Sequence, residues 1–304
     1  MKRHILLLGL LLVCVFGVQA RETYCFAQRD TALHMDLYRP AAEPNGYTLL
    51  HVFGGGFISG ARTNPWDTAY CHKMASEGYT VAAIDYRLGL RGVKKVGVGN
   101  ITALENAFYM AVEDCSSAIR YLVEHAGELS IDADKIILEG SSAGAITALM
   151  TDFARCNSLA CAGELPEDWQ PAGVVAYSGA IYSKDGALKW VKEPAPTLLF
   201  HGMVDKIVPY KQITFGHRGL FGANAIAKRM EKFDYPYCIY RLLGLGHEVS
   251  VGGPVTTDEL NLFVQQYLHD KRKLYKDITY RDAAVKPGKF TYLTLKDIYK
   301  SNKK

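Results

Sequence analysis

The segment that most constrains the fold of this chain lies around residue 140. An apolar run at residues 135–139 (KIILE) is followed directly by GSSAG at residues 140–144 and by a helix-like stretch at residues 145–153. A sharp turn between a strand and a helix lifts the central side chain out of a sheet, and the flanking glycines leave room for neighbouring backbone. We therefore predict that Ser142, at the centre of the turn, is a nucleophile.

The rest of the chain alternates strand-like and helix-like segments, which indicates an α/β fold with a mostly parallel sheet and helices on both faces. We predict about eight strands, at residues 24–28, 33–38, 47–53, 79–86, 136–139, 173–177, 197–200 and 237–242. The first two form an antiparallel pair. Helices are predicted at residues 68–77, 101–128 and 257–269, and the glycine-rich residues 88–100 suit a loop over a site.

The N-terminus has the pattern of a signal peptide. Lys2 and Arg3 precede an apolar run at residues 5–18, and residues 18–20 (VQA) end in small residues. We predict a signal peptide at residues 1–20 and an exported mature protein, periplasmic or extracellular, without stable membrane insertion after processing. A retained N-terminal anchor is the alternative, although the run is short for a bilayer span.

The mature chain divides by charge. Residues 271–304 contain eleven Lys or Arg against three Asp, about +8, whereas residues 21–270 carry about −6. We predict a catalytic domain at residues 21–270 and a basic C-terminal extension at residues 271–304 that packs on the acidic body through its interleaved aromatic and aliphatic residues. Docking on an acidic glycan or a membrane surface is the functional alternative.

Six cysteines remain after residue 20, an even number in a compartment that permits disulfides. Only Cys156 and Cys161, which flank four residues, suggest a pairing. Cys115 and Cys238 fit free buried thiols, because they lie in apolar helix and strand patterns. The cysteine spacings are not those of zinc sites.

Two further residues have the positions that a serine hydrolase on a parallel sheet requires. Asp205 follows the strand at residues 197–200, and His247 follows the last strand between flanking glycines, so the order along the chain is Ser, Asp, His. Asp185 is the rival carboxylate, and His201 and His217 are the rival imidazoles. His201 is expected to brace the loop of the acid, and His51 to be a core histidine with satisfied hydrogen bonds.

The glycines at residues 54–56 follow the third strand, where backbone N–H groups can face a developing oxyanion. We predict an oxyanion hole made by the N–H of Ala143 together with that of Gly55 or Gly56. No metal or organic cofactor is implied.

These motifs resemble the α/β-hydrolase family, and within it the secreted esterase and lipase branch that includes acetylxylan and feruloyl esterases. The resemblance extends to about residue 270 and is carried by residues 35–40 (MDLYRP), 53–57 (FGGGF), 85–88 (DYRL), 131–136 (IDADKI) and the turn around Ser142. The family usually has His-Gly-Gly-Gly at the oxyanion loop, and this chain has Phe53 at the histidine position. Asp114 and Asp132, which belong to the resemblance, are interpreted as structural residues.

The resemblance implies an esterase for short acyl groups, on small esters or on acylated glycans, and no nucleic-acid partner. The enzymatic alternative is a serine peptidase like prolyl oligopeptidase, disfavoured because the chain lacks room for a propeller. A noncatalytic glycan-binding module on a hydrolase scaffold is the alternative outside enzymes. The oligomeric state stays open.

Overall fold

The computed structural model describes residues 21–93, 100–251, 257–291, 293–294 and 297. The predicted signal peptide and residues 94–99 of the predicted glycine-rich loop lie outside the described residues. The strands are β1 Glu22–Gln28, β2 Ala32–Tyr38, β3 Thr48–Val52, β4 Thr80–Ile84, β5 Ile136–Ser141, β6 Gly173–Tyr177, β7 Ala180–Ser183, β8 Thr197–Gly202, β9 Gln212–Phe215, β10 Arg218–Gly222, β11 Tyr237–Leu242 and β12 Tyr275–Tyr280.

The helices lie between the strands of this series. They are α1 Pro65–Ser76, α2 Ile101–Glu124, α3 Ala143–Cys156, α4 Ala223–Lys232 and α5 Thr257–Phe263, which continues as a π-helix over Val264–His269. Short 3-10 turns cover Ala133–Lys135, Ala160–Ala162, His247–Val251 and Lys289–Thr291. Within the described ranges, none of the helices is long and apolar enough to cross a bilayer.

Nine strands form one sheet in the order β1-β2-β4-β3-β5-β6-β8-β11-β12. The pairs β1/β2 and β2/β4 are antiparallel, and every later pair in the order is parallel. The predicted α/β class with a mostly parallel sheet is confirmed. Because parallel strands end at the same edge, the loops after β3, β5, β8 and β11 converge there.

Two apolar cores cover the two faces of the sheet, as the alternating pattern predicts. On one face α2, α3 and α4 pack through residues such as Phe108, Leu149 and Ile226. On the other face α1 and α5 pack through Met74 and Phe263. The interior strands β3, β4, β5, β6 and β8 are buried along nearly their whole length, which explains their continuous apolar sequences.

Several elements differ from the sequence prediction. Helix α1 begins at Pro65 rather than residue 68, because the Asn64 side chain accepts hydrogen bonds from the N–H groups of Trp66 and Asp67. A small antiparallel sheet, β7-β10-β9, was not predicted, and its strands are only four or five residues long. The prediction of a disulfide between Cys156 and Cys161 is wrong, because both thiols are free and buried.

The segment predicted as a basic extension supplies β12, one of the two edge strands of the large sheet. Strand β12 pairs in parallel with β11 from Tyr237↔Tyr275 to Leu242↔Tyr280. Arg241 on β11 forms a two-pronged ion pair with Asp277 on β12, at 2.5 and 2.7 Å. The sheet therefore continues past residue 270.

Candidate active site

The turn that carries Ser142 is held by close backbone packing. Ser142 lies between β5 and α3 with φ 52° and ψ −114°, a positive-φ conformation that is rare for residues other than glycine. A Cβ on Gly140 would lie 2.4 Å from the Gly144 carbonyl carbon, and one on Gly144 would lie 1.9 Å from the Val52 oxygen. Both positions therefore require glycine, which accounts physically for the spacing around the serine.

Ser142 meets His247 although the two residues lie far apart in sequence. The Ser142 Oγ is 2.8 Å from His247 Nε2, within hydrogen-bonding distance. His247 begins the 3-10 turn that follows β11, and only 6% of its surface is exposed. With its proton on Nδ1, the ring leaves Nε2 free to accept the hydroxyl proton of Ser142.

Asp205 lies on the other side of the His247 ring. Its Oδ2 is 2.7 Å from Nδ1 of His247, and its Oδ1 accepts the backbone N–H groups of Ile207 and Val208 at 2.8 and 3.0 Å. Burial raises the pKa of this carboxyl, but hydrogen bonds from His201 and His247 outweigh burial and hold the pKa well below its usual range. Asp205 therefore stays ionised and fixes the Nδ1–H tautomer of His247.

The loops that carry Asp205 and His247 are joined through their backbones. The Met203 N–H donates to the Leu242 carbonyl and the Val204 N–H to the Leu245 carbonyl, both at 3.1 Å. A Cβ on Gly202 would lie 2.2 Å from the Gly246 oxygen, so the loops touch without intervening side chains. This contact sets the distance between the carboxylate and the imidazole.

The rival residues lie elsewhere or serve another contact. His201 is fully buried, with Nε2 3.4 Å from Asp205 Oδ2 and 3.2 Å from the Val208 carbonyl, so it braces the acid loop. Asp185 and His217 are exposed around the small sheet, where the Gly186 N–H donates to the His217 carbonyl. Among the residues described, no hydrogen bond joins either to Ser142 or His247.

Residues 54–56, the predicted oxyanion loop, contact the turn that carries Ser142. A Cβ on Gly54 would lie 3.4 Å from the Ser142 Cβ, and Gly55 and Gly56 have φ of 131° and 63°. Ala143 is the first residue of α3, so its N–H lies at the positive end of the helix dipole and lacks a partner within the helix. The N–H groups predicted to bind an oxyanion thus belong to two segments in contact.

Tyr86 supports the predicted oxyanion loop at Phe53, the residue that stands where the resemblance predicts a histidine. Its ring stacks on Phe53 with centroids 4.5 Å apart, and its hydroxyl donates to the Phe53 carbonyl at 3.0 Å. Burial and the nearby Asp67 raise the pKa of Tyr86, so the hydroxyl keeps its proton. The DYRL motif at residues 85–88 did not indicate this role for Tyr86, because the role depends on the pairing of β3 with β4.

His51 is buried between two carboxylates behind the serine turn. Its Nδ1 is 2.5 Å from Glu139 and its Nε2 is 2.7 Å from Asp67. Because both ring nitrogens face acceptors, the ring satisfies both as an imidazolium. Burial lowers the pKa of His51, but the charge of Glu139 and the hydrogen bonds to Asp67 and Glu139 raise it to about 10. The cluster joins β3, β5 and α1.

Asp114 and Asp132 occupy structural positions. Asp114 accepts from the Arg87 guanidinium at 2.9 Å and from the Arg87 N–H at 2.7 Å, which ties α2 to the loop after β4. Asp132 accepts the Asp134 N–H at 3.0 Å and starts the 3-10 turn before β5. Neither bond involves Ser142, Asp205 or His247.

Comparisons with known proteins match the region around this cluster. The BD-FAE family model matches residues 35–162, which include the oxyanion loop and the serine turn. An arylesterase of Saccharolobus solfataricus is 33% identical over 138 residues, or 45% of this chain and 40% of the arylesterase. An ethyl acetate hydrolase of Pseudomonas putida is 33% identical over 136 residues, or 44% of this chain and 37% of that protein. The chain thus spans less than half the length of these curated relatives.

Solved structures extend the likeness to almost the whole chain. The apo form of esterase 2 from Thermogutta terrifontis has a TM-score of 0.60 and 21% identity, covering 86% of this chain and 98% of that chain. Its propionate-bound form has a TM-score of 0.61 and 22% identity, covering 86% and 97%. At this identity the likeness shows the fold. The chain therefore has the fold of these esterases, the α/β-hydrolase fold.

Proposed function

We propose that this protein hydrolyses carboxylic esters through Ser142, His247 and Asp205. The observation that carries the proposal is the continuous chain of hydrogen-bonding contacts, Ser142 Oγ to His247 Nε2 at 2.8 Å and His247 Nδ1 to Asp205 Oδ2 at 2.7 Å. Nucleophile, base and orienting carboxylate are the three roles of a serine hydrolase. The esterase relatives are consistent with acyl transfer from an ester.

In the proposed acylation, Ser142 Oγ attacks the ester carbonyl carbon while His247 Nε2 takes the hydroxyl proton. The carbonyl oxygen becomes an oxyanion that the N–H of Ala143 and that of Gly55 or Gly56 would bind. Each such donor contributes about 3 kcal/mol in related sites. The C–O bond to the alcohol then breaks, and the His247 imidazolium returns its proton to the leaving alkoxide.

Deacylation repeats these steps with water. Water attacks the acyl carbon of the Ser142 ester as His247 takes one of its protons, and the second tetrahedral intermediate expels Ser142 Oγ, which regains the proton. Asp205 remains ionised throughout and stabilises the imidazolium. The residues hold and move every proton that the hydrolysis needs.

We further propose that the acyl groups are short and carried by small esters or acylated glycans, and that the protein acts after export. The ethyl acetate hydrolase acts on a short ester by its name, and esterase 2 of T. terrifontis has been solved with propionate and butyrate. The motifs shared with acetylxylan and feruloyl esterases support glycan esters. The N-terminal residues support export.

A substrate panel tests the proposal. Wild-type protein and the variant Ser142→Ala are compared on p-nitrophenyl acetate, butyrate and palmitate, acetylated xylan, feruloylated oligosaccharides and an Ala-Pro amide. We expect turnover of the short esters and a loss of about 10⁶-fold in the variant. Cleavage of the amide alone would assign a peptidase, and a variant that keeps a few per cent of activity would refute the role of Ser142.

A further inference from the structure

The loop that carries His247 lies against the C-terminal part of the chain. A Cβ added to Gly246 would lie 2.5 Å from the Thr291 Cα, so the backbone of Thr291 sits directly on the residue before His247. Thr291 ends the 3-10 turn Lys289–Thr291, and it is 94% buried, with 6% of its surface exposed. Because this contact is so close, the loop that carries His247 has little room to move toward Thr291.

The residue after His247 is hydrogen-bonded to the same segment. Glu248 Oε1 accepts the Gly288 N–H at 3.2 Å and also accepts the Thr291 hydroxyl. Both donors come from residues 288–291, which lie about 40 positions further along the chain. The two neighbours of His247, Gly246 and Glu248, are therefore both fixed by one short segment.

Strand β12 holds this segment near the loop. The Leu243 N–H, at the start of the His247 loop, donates to the Tyr280 carbonyl at the end of β12 with a distance of 2.9 Å. The His247 loop is thus anchored by the C-terminal chain at Leu243, Gly246 and Glu248. On its other side it is joined to the Asp205 loop through Val204 and Leu245.

We propose that Glu248 and Thr291 are positioning residues, and that residues 288–291 form a clasp that holds the His247 imidazole between Ser142 and Asp205. This inference rests on the proposed function. The imidazole uses both ring nitrogens at distances of 2.8 and 2.7 Å, so a small shift of its loop lengthens both contacts. Misplacement of a reacting group by 1 Å is enough to lower a rate about 10²-fold.

The decisive variant is Thr291→Val, which removes the hydroxyl and keeps the branched shape. Thr291→Ser keeps the hydroxyl and is the rescue variant. Thr294→Val is the matched control, because the Thr294 hydroxyl bonds Asp297 at 2.6 Å rather than Glu248. Glu248→Ala, which removes the acceptor, replaces Thr291→Val if that variant fails to fold.

Two readouts separate the clasp from simple packing. For p-nitrophenyl butyrate we expect Thr291→Val to lower kcat about tenfold with KM within about twofold, and Thr291→Ser and Thr294→Val to stay within about twofold of wild type. Hydrogen exchange measured by mass spectrometry should become faster in peptides covering residues 243–251 in Thr291→Val alone.

Unchanged exchange in residues 243–251 of Thr291→Val would overturn the clasp, whether or not the wild type is an esterase. Faster exchange with wild-type kcat would overturn the positioning role. A wild type without turnover would instead refute the proposed function, while the exchange measurement still decides the clasp.

Discussion

The cluster of Ser142, His247 and Asp205 contains two residues whose environments are energetically unfavourable. Ser142 has a backbone with positive φ, which costs roughly 1–3 kcal/mol and persists only where the surroundings enforce it. Asp205 is a fully buried carboxylate that remains ionised because two histidines and two backbone N–H groups surround it. Strain and buried charge in one place are typical of a functional site.

The role of Asp205 leads to a prediction. Asp205→Asn keeps the size of the side chain but removes the charge that selects the Nδ1–H tautomer of His247. We expect kcat for p-nitrophenyl butyrate to fall by about 10⁴-fold, with KM changed much less. Asp185→Asn, at an exposed rival carboxylate, is the control and should retain wild-type kcat. Equal losses in both variants would refute the assignment of the acid.

At the scale of elements, the glycines around the serine turn set the distance between β3, β5 and α3. Gly144→Ala would place a Cβ 1.9 Å from the Val52 oxygen, so backbone must move. We expect the free energy of unfolding in urea to fall by about 3 kcal/mol or more. Gly127→Ala is the matched control, because a Cβ there has no atom within 4 Å, and it should change stability by less than about 0.5 kcal/mol. Similar stabilities of the two variants would contradict the packing argument.

The His51 cluster predicts a dependence of stability on pH. The pKa of His51 is raised to about 10 in the fold, from the ordinary imidazole value of about 6.5. A raised pKa contributes stability that is fully present below about pH 6.5 and is lost as pH rises through about 10. We therefore expect the free energy of unfolding in urea, measured at pH 6, 8 and 10, to fall more for wild type than for the double variant His51→Gln, Glu139→Gln. A constant difference across this range would show that His51 is not charged in the fold.

The sequence predicted the elements that local pattern determines. Ser142, Asp205 and His247 were identified from turn glycines, strand ends and their order, and the structure brings all three together. The partners of His51 were missed because Glu139 and Asp67 become its neighbours only through the β3–β5 pairing and the packing of α1. Strand β12 was missed because its residues alternate exposed and half-buried in a charged segment, where the pattern indicates surface rather than sheet.

At the scale of the whole molecule, the C-terminal chain completes the large sheet. Strand β12 covers the edge of β11, and an uncovered parallel strand would present a row of unpaired N–H and C=O groups. Of the basic segment, residues 275–280 thus belong to the sheet, and residues 288–291 contact the loop of His247.

Truncation tests this contribution to the fold. We expect a chain ending at residue 269 to aggregate, because it exposes β11 and loses the Arg241–Asp277 pair. A chain ending at residue 297 retains β12 while losing Lys300, Lys303 and Lys304, three of the eleven basic residues that the shorter chain loses, so it controls for part of the loss of positive charge. Light scattering after size-exclusion chromatography measures the aggregation of the two truncated chains. An undisturbed elution of the shorter chain would show that β12 is dispensable.

The proposed function requires that folding makes Ser142 a nucleophile with His247 as its base. Its most direct test is the reaction of the intact protein with a fluorophosphonate, followed by peptide mapping. We expect one adduct, on Ser142, that forms in wild type, is lost in Ser142→Ala and is strongly slowed in His247→Ala. An adduct on another residue, or labelling at an equal rate in His247→Ala, would contradict it.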